Sequence, residues 1–168
     1  MAYAFNQLSG TNRRSGTGDG GAGSEDETVD ERMSRLKAEV YEDFSDFPVA
    51  DINFIEFRSD LPWRHRGTCG RSFLGCYVGG NKVFVVYGSS SDNSIKVTIA
   101  HELLHVDESM TVSGGGLIRY TANQIWKYGG HNPSISAFDD AYHAYLGSTP
   151  RIPHPKPDLS QMPWRREE

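Results

Sequence analysis

The run Thr98-Ile99-Ala100-His101-Glu102-Leu103-Leu104-His105 sets three ionisable side chains inside an apolar stretch that has the spacing of a buried helix. Ile95, Ile99 and Leu103 recur every four residues, and Val106 carries that row around the helix. This row can face a core while His101, Glu102 and His105 share another side. Ser94, preceded by Asp92 and Asn93, supplies N-caps after the turn-like Gly88-Ser89-Ser90-Ser91. The bland alternative is an amphipathic helix with two surface histidines and a solvated glutamate. With only six histidines in the chain, the pattern should arise by accident in about one such chain in a hundred, and the apolar flanks argue against the bland form.

On a helix, residues four apart lie one above the other. His101 and His105 can therefore aim two imidazole nitrogens at one point, as a tetrahedral Zn²⁺ requires. Glu102, one residue further round, can reach a metal-bound water without ligating the metal. At these residues, and more loosely over positions 65 to 146, the chain resembles the zincin metallopeptidases. The resemblance implies an active-site helix and, just upstream, a strand whose edge receives a peptide. Here the upstream run is Lys82-Val83-Phe84-Val85-Val86-Tyr87, β-branched and aromatic between Gly79-Gly80-Asn81 and Gly88. It reads equally as a buried sheet strand, since periodicity does not separate the two.

Other properties bound the class. The chain has 168 residues and a net charge of −5, which suits one domain with tails and argues against a nucleic-acid protein, whose surface would carry a basic face. No apolar run approaches a membrane span. The start, Met1-Ala2-Tyr3-Ala4-Phe5-Asn6, lacks the basic and apolar regions of a secretory signal, so the expectation is a soluble protein that is not Sec-exported. Cys69 and Cys76 are expected as free thiols if the protein is cytosolic, with a disulfide as the alternative in an oxidising compartment.

Residues 1–28 are rich in Gly, Ser, Thr and Asn and are read as a disordered arm. Residues 29–147 form the domain. Met33, Leu36, Val40 and Phe44 predict a helix through Asp46, ended by Pro48. Asp51 to Phe57 alternates as a strand, and a second strand is expected through Ser72-Phe73-Leu74 and Tyr77-Val78. A polar, aromatic loop with Trp63 and His65 joins them. After the histidine helix, Gly114-Gly115-Gly116 breaks the chain, Leu117 to Tyr128 is helical until Gly129-Gly130, and Pro133 opens a last helix capped by Gly147. Residues 148–168 hold five of the eight prolines and are read as an extended, weakly ordered tail. The fold class is α+β: a small mixed sheet packed on the histidine helix, in a minimal zincin-like domain.

A catalytic zinc site needs a third protein ligand. The metzincin continuation is absent, because Thr111 stands six residues after His105. Downstream candidates are Asp107, Glu108, His131, Asp139, Asp140 and His143. A helix carries Asp107 and Glu108 past the metal face, so they are read as solvated or as partners orienting an imidazole N–H. Asp140 is favoured, with Asp139 and His131 as alternatives. His131 resembles the later histidine of SprT-like proteases. Phe138-Asp139-Asp140-Ala141-Tyr142-His143-Ala144-Tyr145 is similar to the Asn-Ala-Asp-x-Tyr-x-x-Tyr stretch of aspzincin-type endopeptidases, although Ile125 occupies the position of the aspzincin ligand before Tyr128-Gly129. The two aspartates also read as solvated helix-start carboxylates. His143 reads as a surface histidine, and the tyrosines of this half as packing residues.

The expected function is zinc-dependent endopeptidase activity, with His101, His105 and Asp140 holding Zn²⁺ and Glu102 as general base. The alternative is a catalytically inert, zincin-like module that binds metal or a partner. The expected partner is a protein or peptide. The Ser/Gly/Thr-rich start resembles the secretion segments of bacterial effector proteases, which would make a host protein the substrate and a non-Sec route into a host cell the alternative to a cytoplasmic location.

Overall fold

The computed structural model describes residues 27–70 and 72–166, so the expected arm at 1–28 lies almost wholly outside the described residues. Helix α1, Val29–Asp43, begins at a capping box in which Thr28 and Glu31 each accept from the other's backbone N–H. Its Met33, Leu36 and Val40 form one buried stripe. Strand β1, Asp51–Ile55, is followed by two single turns of 3₁₀ helix and the short α2, Arg66–Cys69. Next come β2, Gly75–Tyr77, and β3, Lys82–Val86. Three long helices complete the domain: α3, Asp92–Ser113, α4, Leu117–Tyr128, and α5, Pro133–Leu146. Five helices and a three-stranded sheet make an α+β fold. Among the described residues no helix is long and apolar enough to cross a membrane.

The sheet order is β1-β3-β2, with β3 parallel to β1 and antiparallel to β2. The Lys82 to Val86 run is thus the central strand and is paired on both sides, so it is not the edge that a peptide meets. The edge beside α3 is β2. Period-two alternation sorts the side chains of β3: Val83 and Val85 join the main core with α1, α3 and α5, while Phe84 joins a smaller cluster of Leu61, Cys69, Phe73 and Cys76. α3 is buried from Val97 to Ser109, because the sheet covers it on one side and α1, α4 and α5 on the others.

Two sequence expectations are corrected here. Cys69 and Cys76 form a disulfide. Gly70, left-handed at φ 67°, folds the loop back so that the two buried residues lie with Cα atoms 5.5 Å apart. The end of the tail is docked instead of loose. Leu159 and Met162 are buried in the main core, and Trp164 Nε1 and the Arg165 guanidinium both donate to Asp107 of α3. Apolar anchors and a partly buried ion pair offset the entropy that its prolines alone would not.

Candidate metal centre

His101 and His105 lie one turn apart on α3 with their Nε2 atoms 3.1 Å from each other. The Nε2 of His131 comes within 3.2 Å of that of His105. Ligand atoms of all three residues lie within 4.8 Å of one another, close enough to hold a metal ion. Nitrogens at ~2.0–2.1 Å from a tetrahedral cation stand about 3.3 Å apart, near the two spacings seen.

His131 reaches this point because α4 stops abruptly. Gly129 takes the left-handed conformation at φ 67°, and the Gly129 and Gly130 amides close on the last carbonyls of α4. Two residues later Asn132, fully buried, caps α5 by accepting from the Ser134 amide at 3.0 Å. The same side chain donates to Glu108 Oε1 at 2.6 Å. One residue thus starts α5 and pins the loop carrying His131 to α3.

The outer nitrogens of the α3 pair are held by acceptors. Asp139 Oδ2 is 2.6 Å from His101 Nδ1. Tyr120 Oη is 2.7 Å from His105 Nδ1 and gives its own proton to Glu108 Oε2, also at 2.7 Å. A carboxylate can only accept, and the single Tyr120 proton is committed to Glu108, so this network assigns the N–H to Nδ1 of both rings. Their Nε2 lone pairs then face each other. At 3.1 Å the two atoms can share either a proton or a metal ion. This donor set fits a metal, and its orienting carboxylates are the kind that fix metal-bound imidazoles.

Electrostatics divide the three rings. Burial, reinforced by the neighbouring rings, holds His105 well below the ordinary histidine range and His131 at about 4. Both are therefore neutral at physiological pH, as ligands must be. His101 is the exception: burial disfavours its charge, but Asp139 and Glu102 together raise it. Burial also pushes Glu102 up to about 7, against the attraction of His101. Glu102 Oε1 lies 4.0 Å from His101 Nε2, and its Oε2 is buried with no hydrogen-bond partner among the described residues. β2 sits directly on this carboxylate. A Cβ on Gly75 would collide with Glu102 Oε1 and come within 2.7 Å of Thr98 Cγ2, so only glycine permits the approach. A cleft with about 40 Å³ of free volume opens beside Glu102 and His105.

Of the expected site residues, His101, Glu102 and His105 are brought together as the spacing required. Asp140 is not: it is exposed on α5, and His131 completes the cluster in its place. The reason is the face α5 buries. Ile135, Phe138, Asp139 and Tyr142 are its inward positions, so Asp139 points in to His101 and Asp140, about 100° further round, points out. His143 is likewise exposed. Asp107 binds the tail, and Glu108 orients His105 through Tyr120. Sequence reasoning missed the roles of Tyr120, Asn132 and Gly75.

Comparison of the chain with family models, curated proteins and solved structures finds no match.

Proposed function

We propose that this protein is a zinc-dependent endopeptidase in which His101, His105 and His131 hold the metal and Glu102 is the general base. The observation that carries this reading is the convergence of three imidazole Nε2 atoms beside a buried carboxylate at the floor of an open cleft. Three imidazole nitrogens are the donor set of a catalytic zinc site, whereas closed structural sites use four protein ligands. A bound zinc would supply Lewis acidity toward a carbonyl and would lower the pKa of water in its open position.

The chain's own residues account for the rest. Asp139 and the Tyr120–Glu108 pair keep the rings turned with Nε2 inward. Glu102, near 7, takes a proton from the attacking water and returns it to the leaving amine at neutral pH. Gly75 lets β2 lie against that carboxylate, and the outer edge of β2, unpaired among the described residues, is available to an extended peptide for backbone hydrogen bonds. The disulfide ties this edge to α2.

The test is elemental analysis together with cleavage of a random peptide library by the parent and by Glu102→Gln. One zinc per chain is expected in both. Hydrolysis in the parent should fall at least a hundredfold in the variant; equal cleavage by both would refute the assigned base. A second reading, an inert module that binds metal, is favoured by the small free volume of the cleft. Zinc binding by a parent protein that cuts no peptide would establish it.

A further inference from the structure

Gln124 faces the cleft from α4, beside Tyr120 and opposite Gly75, and is 1% exposed. Neither its carboxamide oxygen nor its nitrogen has a hydrogen-bond partner among the described residues. An amide buried without a partner costs free energy that a leucine of similar volume would not. Such a group calls for an explanation, and a partner entering from the cleft supplies one. Both atoms belong to one planar group, with a donor and an acceptor side by side. Its natural complement is another amide, whose N–H donates to Gln124 Oε1 while its carbonyl accepts from Nε2.

Size and charge narrow the choice. Free volume of about 40 Å³ admits roughly three waters at ~10–15 Å³ each, comparable to the three heavy atoms of a carboxamide. The walls, including Thr68, Cys76, Leu117 and Thr121, contain no lysine or arginine. Away from the histidine cluster, an entering carboxylate would be buried close to Glu102 with no lysine or arginine beside it. A long cationic side chain exceeds the space. We infer that the cleft is a subsite for an asparagine or glutamine side chain, read by Gln124 through paired amide hydrogen bonds. That this side chain belongs to a substrate rests on the peptidase reading; the recognition itself does not.

The experiment follows the side-chain NH₂ resonance of Gln124 in the full-length, zinc-loaded protein, assigned by its loss in Gln124→Leu. The probes are the N-acetyl amides of asparagine, aspartate and leucine, which share a backbone and differ only in the group offered. The asparagine probe should shift the resonance saturably in the millimolar range, with the other two at least tenfold weaker. No saturable shift, or equal affinity for all three, would overturn the subsite. In the random-library digest, Asn or Gln should exceed Asp or Glu at least tenfold at one position next to the cut bond, and Gln124→Leu should erase that ratio. A library cut without this preference also overturns the subsite. A library left uncut while the asparagine probe binds overturns the peptidase reading and leaves the subsite standing.

Discussion

His101 and His105 reach the site by a different route from His131. The first two are set by the pitch of α3, four residues and one turn apart on a helix that the core surrounds. His131 stands in the short junction between α4 and α5, 26 residues later, and depends on Gly129 to stop one helix and on Asn132 to start the next. A pair of ligands on one buried helix comes already aligned. The third is positioned by a clamp, so it is the part of the site that sequence change or local motion can loosen first.

Removing ligands gives the largest expected effect. His105→Ala deletes the ring whose Nε2 neighbours both of the others. Sharing the ~10–16 kcal/mol of a structural zinc site among its ligands puts the loss at roughly two to three orders of magnitude in zinc affinity. His131→Ala should cost less, because the aligned α3 pair still chelates. Competition with a chromophoric chelator would measure both, and an equal or larger loss for His131→Ala would break the contrast.

Protonation separates the regions next. In chelator-treated protein, Glu102 has a folded pKa raised to about 7. It therefore stabilises the fold below its ordinary value, and that contribution is lost as pH rises toward 7. His131, lowered to about 4, acts oppositely: its burial costs stability at low pH, and that cost disappears as pH rises from 4 through 6.5. The two oppose one another in the parent, where His105 acts like His131 and the raised His101 and Asp139 act like Glu102. Glu102→Gln removes the Glu102 share of the fall, on the order of 3 kcal/mol for this buried group. Urea melts of the metal-free variant should then show stability rising between pH 4 and 6.5. A flat profile in the variant would count against the assignment.

Cutting the clamp is smaller. Asn132→Ala should lower zinc affinity about 10–100-fold, as loss of an orienting partner does, and weaken α5 by about 1 kcal/mol as a lost cap. The circular dichroism of α3 should not change. The smallest pair is on α5. Asp139→Asn should cost zinc affinity about tenfold or more through His101, and Asp140→Asn should cost none. Calorimetric titration of both with zinc would decide between the inward and outward aspartate.

Much of this molecule was legible beforehand. Pro133 and Gly147 bounded α5, Gly129 ended α4, and the apolar row Ile95, Ile99, Leu103 and Val106 marked the inward side of α3. Asp139 was also legible in principle, since Ile135, Phe138 and Tyr142 define the stripe on which it lies and from which Asp140 departs. The place of Lys82–Val86 in mid-sheet was not, because an apolar strand has the same composition at an edge or in the centre. Nor was the docking of the tail, which depends on a pocket for Leu159 and on Asp107 waiting for Arg165.

Sequence alone therefore determined whatever depends on neighbours within a turn or two: helix limits, the buried row, and the shared face of His101, Glu102 and His105. Backbone geometry repeats over that range, so spacing translates directly into direction. Only the tertiary structure decided that His131 completes the cluster, that Cys69 meets Cys76, that β2 lies on Glu102 and that Gln124 faces the cleft. Those outcomes depend on how separately formed elements pack, and packing is set by the shapes of surfaces that no local repeat encodes.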